Sequence, residues 1–335
     1  MKPIVSVVIL TYNQEKYISQ AIESVLGQEC SFPYEIVIAD DCSSDQTRTI
    51  CRNYAAEYPQ IRLIENENNK GLLRNYVETL LACEGKYIAD LAGDDYWIDK
   101  NKLQRQVAFL EANEDTVLIH SDWIKFNNSS YQTTGSGNVR SSGKEYTHTI
   151  VESTFIQSSC PHVFLCTSTF RKDAFQKIYS KYPYFFDSEK WKCEDFQLTV
   201  LMAYEGYFYY EEKITTAYRI STDSISNSSQ YTKQYAFNKS VLELMIHLAD
   251  VLNLQDVLIK RKIAERAELL ILGAVRTSEY KTIKDVKILL KENNISVSFL
   301  SRSILKLLQN VSFFKGTSKT LNIARAIKHK LSNQS

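Results

Sequence analysis

The chain has 335 residues, of which 44% are hydrophobic and 24% charged. This is the balance of a folded globular protein rather than of a disordered one. Lysine and arginine number 40 against 39 aspartates and glutamates, for a formal net charge of +1, which argues against a dedicated nucleic-acid binder. The length predicts one main domain plus an extension.

The cysteines and the apolar runs indicate the compartment. The seven cysteines are scattered and are never spaced as C-x-x-C, which fits a reducing environment better than a disulfide framework or a zinc site. The N-terminal apolar run Ile4–Leu10 is shorter than a signal-peptide core. No run approaches the roughly 18 apolar residues that a membrane-spanning helix needs. We therefore expect a cytoplasmic protein.

The chain up to Asn113 alternates between apolar runs and helical segments. Four strands are predicted at Val5–Leu10, Tyr34–Ala39, Ile61–Ile64 and Tyr87–Ala92. The intervening helices are predicted over Glu15–Gln28, from near Asp45, from after Gly71 to about Ala82, and over Lys100–Asn113. This α/β alternation predicts a Rossmann-like, mostly parallel central sheet flanked by helices. The G-x-G-x-x-G turn of a dinucleotide fold follows none of the strands.

The rest of the chain changes character twice. Residues 126–150 are rich in Ser, Thr, Asn and Gly and predict a long loop or irregular hairpin, with a lid as the functional alternative. Short strand-like and helical segments are then predicted over Phe164–Phe170, Arg171–Tyr179, Glu194–Tyr204, Gly206–Tyr210 and Thr215–Ile220. Helical segments follow, over Val241–Val251, Val257–Val275, Lys281–Lys291, Ser298–Gln309 and Leu321–Leu331. The predicted domains are 1–229, with halves of about 1–125 and 126–229, and a helical C-terminal region, 230–335.

Paired acids stand at the ends of the predicted elements. Asp40-Asp41 closes the second strand, Asp94-Asp95 follows the fourth, and Glu194-Asp195 opens a predicted helix. Open α/β sheets bind ligands at the carboxyl ends of their strands, and adjacent acids repel each other unless a cation or hydrogen-bond donors compensate. Because hard oxygen ligands favour Mn²⁺ or Mg²⁺ completed by phosphate oxygens, this edge is predicted to be a metal-assisted nucleotide site.

A series of short motifs runs in order along the first two thirds of the chain. They are Val5–Asn13, Ala21–Gln28, Glu35–Thr47, Asn68–Gly71, Arg74-Asn75, Gly85–Ile88, Gly93–Trp97, Lys102-Leu103, Glu194-Asp195 and Tyr218-Arg219. Together they resemble inverting family 2 glycosyltransferases of GT-A fold, of the type that assembles bacterial surface polysaccharides. The resemblance covers roughly residues 3–225. It implies that the first half of the catalytic domain binds the nucleotide and the second half the acceptor.

The resemblance implies a role for each matching residue on the donor side. Thr11 and Asn13 would lie at the nucleotide pocket, Asp41 would bind the base, and Arg74 would approach the nucleotide or its phosphates. Asp94 matches the last acid of the family's D-x-D motif and would hold the Mn²⁺ or Mg²⁺ cofactor on the diphosphate.

Asp95 would support that metal or contact the sugar, and Asp195 matches the catalytic base. The first acid of the D-x-D motif is Ala92 here, so the metal would rest on Asp94 with help from Asp95 or water. Many relatives carry a histidine where this chain has Ser221. A single base carboxylate suffices, because inverting transfer needs no acid–base pair.

Other residues are candidates for contacts with the acceptor or the sugar: His162, Thr167, Ser168, Trp191, Glu194 and Arg219. Each has a structural alternative. A lone histidine is often part of the fold, hydroxyl groups often satisfy nearby backbone, and a tryptophan packs in a core as readily as it stacks on a sugar.

The region from Lys281 onward is basic and also carries apolar side chains. Eleven lysines and arginines face only Asp285 and Glu292, and phenylalanines and leucines such as Phe299 and Leu300 are interleaved with them. This pattern is typical of helices that lie on an anionic membrane surface, where lipid-linked acceptors reside. A helical cap on the catalytic domain, with solvated lysines, explains the pattern equally well.

The function that these observations favour is transfer of a hexosyl or N-acetylhexosaminyl group from a nucleotide-sugar, expected to be UDP-linked, to a hydroxyl of a glycan or lipid-linked oligosaccharide. A sugar-nucleotide nucleotidyltransferase is an alternative, but its Gly-rich phosphate loop is missing from Thr11–Lys16. A non-catalytic nucleotide- or glycan-binding relative is another, suggested by Ala92 and Ser221 and opposed by Asp94 and Glu194-Asp195. No nucleic-acid partner is expected, and a peripheral location on the inner face of the cytoplasmic membrane is the alternative to a fully cytoplasmic one.

Overall fold

The computed structural model describes residues 2–127, 130–132, 141–156, 163–220, 231–277 and 279–307. The chain divides into two compact units, Met1–Ile220 and Ser221–Ser335. The boundary predicted at residue 229 falls within 221–230, which lies outside the described residues.

The first unit is built on a parallel four-stranded sheet. Its strands are β1 (Val5–Thr11), β2 (Tyr34–Asp40), β3 (Ile61–Glu65) and β4 (Tyr87–Ala92), in the order β3-β2-β1-β4. The pairing aligns Thr11 with Asp40 and Leu10 with Ala92. The carboxyl ends of the strands therefore meet at one edge, as the sequence predicts.

The sheet continues beyond β4 as a mixed sheet. The added strands are β5 (Tyr96–Trp97), β6 (Thr116–Asn127), β7 (Ser130–Gln132), β8 (Gly143–Glu145), β9 (Thr169–Arg171) and β10 (Tyr207–Arg219). The order beyond β4 is β9-β6-β10-β5, with β7 beside β6 and β8 beside β10. Strand β9 is antiparallel to β4 and β6, whereas β10 is parallel to β6. The segment predicted as a loop or irregular hairpin thus contributes a short hairpin and an edge strand.

Helices flank the sheet, as predicted for an α/β fold. They are α1 (Ile18–Leu26), α2 (Thr47–Glu57), α3 (Leu72–Ala82), α4 (Lys102–Ala112), α5 (Thr147–Ile156), α6 (Lys172–Lys181), α7 (Tyr184–Asp187) and α8 (Asp195–Met202). Helix α1 shows why they pack: Ile18, Ala21, Ile22 and Val25 recur at helical spacing and are fully buried.

A close backbone approach fixes the start of β4. A Cβ atom on Gly85 would lie 2.5 Å from the Ser6 nitrogen and 2.7 Å from the Val5 carbonyl carbon. The N–H of Gly85 donates to Ser6 Oγ at 2.8 Å, and Ser6 Oγ in turn donates to Glu35. Only a residue without a side chain allows β4 to enter the sheet so close to β1.

The second unit is helical. It contains α9 (Tyr231–Val251), α10 (Val257–Thr277), α11 (Tyr280–Glu292) and α12 (Phe299–Leu307). The helical C-terminal region is therefore confirmed for the residues described, and the segment predicted at Leu321–Leu331 lies outside them. Within the part of the chain that the structure describes, no helix combines the length and hydropathy needed to cross a bilayer.

Candidate active site at the carboxyl edge of the sheet

The loops that follow β1 and β2 are locked together. The Asn13 side-chain oxygen accepts the N–H of Ser44 at 2.8 Å, and the Glu15 carboxylate accepts the N–H of Gln46 at 2.9 Å. In the reverse direction, the N–H of Glu15 donates to the Asp45 carboxylate at 3.1 Å. Asn13 has a φ of 52°, a conformation that asparagine tolerates better than most residues. The side chain of Asn13 thus shapes the predicted nucleotide pocket.

Thr11 lies at the end of β1 with a buried hydroxyl group. The residue is 3% exposed, and its Oγ1 has no hydrogen-bond partner among the described residues. The turn before Asp94 passes close by, because a Cβ on Gly93 would lie 3.1 Å from Thr11 Cβ and 3.0 Å from the Leu10 carbonyl oxygen. Buried polar atoms are normally paired, so this hydroxyl is a candidate to meet a ligand.

The Asp41 carboxylate is held by the loop that follows β3. One of its oxygens accepts from the Asn66 side chain at 3.0 Å and from the Lys70 N–H at 2.8 Å, and the other accepts from the Gly71 N–H at 2.9 Å. The residue is 5% exposed. The contact of Asp41 with a base stays a prediction; in this conformation its carboxylate holds the loop that follows β3.

Arg74 lies in the first turn of α3, near the same loop. Its Nε donates to the Glu78 carboxylate at 2.9 Å, and its side chain is largely exposed. Lys70 pairs with the same carboxylate. To approach phosphates as predicted, the Arg74 guanidinium would have to move away from Glu78 or bind Glu78 and the phosphates together.

Asp94 and Asp95 form a turn at the end of β4. The Asp95 N–H donates to the Ala92 carbonyl at 3.1 Å, and the buried Asp95 carboxylate accepts the Arg219 N–H at 2.8 Å. Burial raises the pKa of Asp95 well above its usual value, and the charge of Asp94 raises it further. Burial also raises the pKa of the more exposed Asp94, against the charge of Arg219. The two carboxyls therefore repel each other in a partly desolvated place.

Arg219 clamps this turn from the end of β10. Its Nε donates to the Asp94 carbonyl at 2.8 Å and a terminal nitrogen donates to the Gln20 side chain at 2.9 Å. The guanidinium lies between two rings, 4.1 Å from the Tyr17 centroid and 4.2 Å from the Phe126 centroid. The side chain predicted to face the sugar or acceptor thus supports the Asp94-Asp95 turn.

The residues of this turn fit one kind of metal site. Within the described ranges, no group of three or more His, Cys, Asp or Glu side chains is arranged to hold a metal ion. The Ala92 side chain offers no oxygen, and one Asp95 carboxylate oxygen accepts the backbone N–H of Arg219. Of the two carboxylates in this turn, that of Asp94 is partly exposed and that of Asp95 is buried. This set suits a cation held by one carboxylate plus substrate phosphates and water, as Mg²⁺ often is, rather than by a cage of protein ligands.

Glu194 and Asp195 stand at the start of α8, and Asp195 is its first residue. A helix N-terminus attracts negative charge. Burial raises the pKa of Glu194 to about 8, with further contributions from the negative charges of Asp195 and Asp90. The pair is therefore coupled, and proton uptake by Glu194 relieves the repulsion on Asp195.

Tyr218 connects the two acidic pairs. Burial raises the pKa of its phenol, and the negative charges of Asp95, Asp94 and Asp195 raise it further. Its ring packs edge-on against Trp123 at 5.6 Å and Phe164 at 5.3 Å. Acids separated by about a hundred residues in sequence thus influence the same phenol, which is consistent with the prediction that the Asp94-Asp95 turn and Asp195 belong to one site.

The predicted acceptor-side residues are mostly committed to the fold. Thr167 and Ser168 are fully buried, at the end of the short 3₁₀ turn Leu165–Thr167 and directly after it, and their hydroxyls donate to the carbonyls of Phe164 and Leu165 at 2.7 and 2.8 Å. Trp191 is buried too; its indole N–H donates to the Tyr184 carbonyl at 3.2 Å. These positions favour the structural alternatives, although direct contact with an acceptor stays untested. His162 and Ser221 lie outside the described residues.

Comparison with known families shows the family of this chain. The family model for glycosyl transferase family 2 matches residues 6–179, slightly more than half of the chain. The chain belongs to glycosyl transferase family 2. The family assignment and the GT-A fold inferred from the motifs are therefore confirmed.

Individual relatives match the chain over part of its length. An uncharacterized protein of Mycobacterium tuberculosis is 44% identical over 117 residues, which are 34% of this chain and 34% of that protein. The putative glycosyltransferase EpsE of Bacillus subtilis is 37% identical over 125 residues, 37% of this chain and 44% of EpsE. The matched segment thus spans less than half the length of these curated relatives.

Solved structures share the fold. The crystal structure of Staphylococcus aureus TarS 1–349 has a TM-score of 0.60 and 17% identity, and the match covers 100% of this chain and 92% of TarS 1–349. The same TarS segment in complex with UDP-GlcNAc has a TM-score of 0.54 and 19% identity, with 83% of each chain covered. At these identities the likeness concerns the fold alone.

Two buried groups of this family 2 protein were not predicted as site residues. Lys102 in α4 is fully buried; its Nζ donates to the Gln106 side chain at 2.9 Å and to the Ser168 carbonyl at 3.3 Å, 4.3 Å from the Trp97 ring centroid. Burial lowers its pKa to about 7. Asp90 is the other buried group, and its signal in the sequence is an acid inside the apolar run of β4.

Proposed function

We propose that this chain is an inverting glycosyltransferase that moves a sugar from a UDP-linked donor to a hydroxyl of a glycan or lipid-linked acceptor. The observation that carries the proposal is the placement of the motif acids: Asp94 and Asp95 form the turn at the end of β4 that Arg219 holds, Asp195 begins α8, and the negative charges of all three raise the pKa of the Tyr218 phenol. The family's reaction needs a place for the donor diphosphate next to a base for the acceptor, and these acids would supply both.

The donor side of the proposal rests on the carboxyl edge of β1 and β2. Thr11 has a buried hydroxyl without a partner among the described residues, and Asn13 and Asp41 hold the surrounding loops in place. Arg74 stands at the rim of the pocket. The UDP-GlcNAc complex of TarS, which shares the fold, supports a uridine nucleotide as the donor's carrier.

A divalent cation fits at Asp94. When bound, Mn²⁺ or Mg²⁺ would stabilise the negative charge that develops on the departing diphosphate. Asp94 would hold it, with Asp95 beneath and Arg219 fixing the turn through the Asp94 carbonyl. Because the protein would contribute few ligands to this site, we expect the cation to bind much more tightly with the donor than without it.

On the acceptor side, Asp195 would accept the proton of the attacking hydroxyl. The hydroxyl oxygen then bonds to the anomeric carbon while the bond to the diphosphate breaks on the opposite face, which inverts the anomeric centre. One base carboxylate is enough for this displacement. Glu194 would assist by carrying a proton near neutral pH, so that Asp195 keeps its charge without a second anion beside it.

A donor screen tests the proposal. The protein is incubated with a panel of sugar nucleotides, Mn²⁺ and candidate acceptors, and release of nucleoside diphosphate is measured. Turnover of one donor supports the proposal. Turnover of none would indicate a non-catalytic binding relative, and release of pyrophosphate from a nucleoside triphosphate would indicate a nucleotidyltransferase.

Asp195→Asn tests the base. We expect it to bind the donor with wild-type affinity and to lose transfer by roughly a factor of 100 or more, because the amide cannot take the proton. The matched control is Asp173→Asn, since Asp173 is also an acid in the first turn of a helix, α6, but is exposed. Equal transfer rates in both variants would remove Asp195 as the base.

We also propose a contact between α12 and an anionic membrane. Phe299 and Leu300 are 79% and 40% exposed, and Leu269 in α10 is 57% exposed. The Ser298 N–H donates to the Glu268 carboxylate at 2.7 Å, which joins the residue before α12 to α10. Exposed Arg302 and Lys306 follow on α12. Apolar and basic side chains on one surface helix suit an anionic lipid interface.

A further inference from the structure

A buried lysine at the start of α4 has no part in the proposed reaction. Lys102 is the first residue of that helix and is fully buried. Its Nζ donates to the Gln106 side chain at 2.9 Å and to the Ser168 carbonyl at 3.3 Å. The same atom lies 4.3 Å from the centroid of the Trp97 ring. A buried charged group is costly unless its hydrogen bonds are replaced, and these three contacts meet the three donors of the ammonium group.

The contacts of Lys102 are part of a connection between α4 and the 3₁₀ turn. Beside the bond from Lys102 to the Ser168 carbonyl, the Gln106 side-chain N–H donates to the Thr167 carbonyl at 3.0 Å. The Gln106 oxygen accepts from Lys102 and also from the Thr169 hydroxyl, at 2.6 Å. Gln106 is fully buried as well. Because they share the Gln106 oxygen, Lys102 and Gln106 hold the turn as one unit.

The same turn is bonded to two strands of the candidate site. The Cys166 carbonyl accepts the Trp97 indole N–H at 2.9 Å and the Thr216 hydroxyl at 3.1 Å. Trp97 is in β5 and Thr216 is in β10, and the two residues are directly paired. Both side chains are buried. One carbonyl group of the 3₁₀ turn therefore joins both strands of this pair.

The β5–β10 strand pair leads directly into the Asp94-Asp95 turn. Strand β5 begins at Tyr96, immediately after Asp95, and β10 ends at Arg219. The Arg219 N–H donates to the Asp95 carboxylate at 2.8 Å. Since β5 has two residues and most strands have three to ten, its position depends on side-chain contacts as well as on its few backbone hydrogen bonds.

We propose that Lys102 and Gln106 form a buried positioning pair, which holds the 3₁₀ turn and, through the Cys166 carbonyl, the strand pair next to Asp94 and Asp95. Both side chains are fully buried, so they act through the turn and not on the substrate. The inference rests on the proposed function for its catalytic meaning, because that proposal places the cation and the donor diphosphate at Asp94. Its structural content stands on the hydrogen bonds alone.

Hydrogen exchange of the full-length protein tests the positioning itself. Lys102→Met keeps the length of the side chain and loses its donors. We expect peptides covering residues 94–98 and 214–219 to exchange about fivefold to tenfold faster, relative to β2 in the same protein. Lys172→Met is the matched control, because the Lys172 ammonium also donates to a carbonyl, that of buried Cys83 before β4. Unchanged exchange of both peptides in Lys102→Met would overturn the proposal.

Gln106→Met is measured in parallel, since it removes the other half of the pair and keeps a side chain of similar size. It should accelerate exchange of the same two peptides by about fivefold. This variant keeps the proposal testable if Lys102→Met does not fold. Wild-type exchange rates in a folded Gln106→Met protein would also overturn the proposal.

A double-mutant cycle tests the route through the Cys166 carbonyl. Trp97→Phe keeps an aromatic ring and removes the indole N–H that reaches this carbonyl. If Lys102 acts through the turn, adding Lys102→Met to Trp97→Phe should accelerate exchange of residues 214–219 by less than about twofold. Independent contributions would instead multiply the two rate increases, and that result would contradict the proposed route.

Nucleotide affinity separates a positioning role from a merely structural one. In the presence of Mn²⁺, Lys102→Met should weaken UDP binding by about tenfold and leave uridine binding within about twofold of wild type. The reason is that the diphosphate and the cation would depend on the Asp94-Asp95 turn, whereas the nucleoside would not. Lys172→Met should change neither affinity. Equal weakening of both ligands by Lys102→Met would contradict the positioning role.

The two proposals fail in different ways. If the wild-type protein binds no UDP, the proposed function with a UDP-linked donor is wrong. The exchange measurements need no nucleotide, and they still decide whether Lys102 and Gln106 position the β5–β10 strand pair.

Discussion

Arg219 shows how much one side chain contributes at the site. Its planar guanidinium reaches the Asp94 carbonyl and Gln20 and fills the space between Tyr17 and Phe126. A lysine keeps the charge but has neither the fork of donors nor the flat surface. The structural role of this arginine is therefore to hold the Asp94-Asp95 turn, and the identity of the residue matters as much as its charge.

Arg219→Lys should destabilise the protein by about 2–4 kcal/mol, the sum of one or two charged hydrogen bonds and the ring contacts. It should also weaken donor binding, because the turn that carries Asp94 loses its support. Thermal melting and nucleotide affinity are the measurements. Arg171→Lys is the control: Arg171 donates to the Thr116 and Leu110 carbonyls near the start of β4. A variant Arg219→Lys that loses stability but keeps donor affinity would contradict the role in the site.

Sequence reasoning reached the acids of the site but not their partners. Asp94, Asp95 and Asp195 stand in motifs, and residue type and order suffice to find them. The commitment of Asp41 to Lys70 and Gly71, and of Asp95 to Arg219, depends on which loops meet in space. Tyr218 was found only as part of a motif, since its relation to three distant carboxylates exists only in the folded chain.

At the scale of elements, periodicity predicted the regular half of the sheet. The apolar runs of β1, β2, β3 and β4 and the spacing in α1 follow directly from burial on one or both faces. Strand β10 was predicted as two pieces, Gly206–Tyr210 and Thr215–Ile220. The structure joins them, and the register shifts between Glu211 and Ile214 and between Ile214 and Thr216 explain the interruption. Three-residue strands such as β8 and β9 carry too little pattern to predict.

The entry of β4 into the sheet gives a prediction for an element. Gly85→Ala should destabilise the protein by about 1–3 kcal/mol, because the new methyl group would overlap the backbone of Val5 and Ser6. Gly143→Ala in β8 is the control, since the nearest atom to its added Cβ is 3.9 Å away. Urea unfolding of both variants measures the difference. Equal stability of the two variants would show that β4 and β1 can move apart at this point without a loss in the free energy of unfolding.

At the scale of the whole molecule, the family motifs lie in the first unit and do not explain the helical second unit. Its helices were predicted from composition and spacing, although α9 begins at Tyr231, ten residues before the predicted start at Val241. The proposed membrane contact of this unit depends on which of its apolar side chains are exposed to solvent. The exposure of each side chain follows from the fold and cannot be read from the sequence.

The membrane contact is tested on the full-length chain by flotation with vesicles of phosphatidylcholine, with or without phosphatidylglycerol. Replacing Phe299 and Leu300 with Asp should weaken binding to the anionic vesicles by about tenfold or more, since two apolar side chains leave the interface. Val257→Asp is the control, because Val257 is 78% exposed on α10. Wild-type binding by the double variant would support a capping role, as would equal binding to neutral vesicles.

The clamp on Asp94 also sets an order of assembly. Arg219 and the turn that it fixes are 125 residues apart in the chain, whereas β1, β2, β3 and β4 all precede residue 93. During synthesis the four parallel strands can therefore collapse long before β10 leaves the ribosome, and contacts so distant in sequence form late. A nascent chain would then have the folded carboxyl edge of β1, β2, β3 and β4 while the Asp94-Asp95 turn still lacked the support of Arg219. The candidate site would be completed in one late step, after residue 219 has been synthesised.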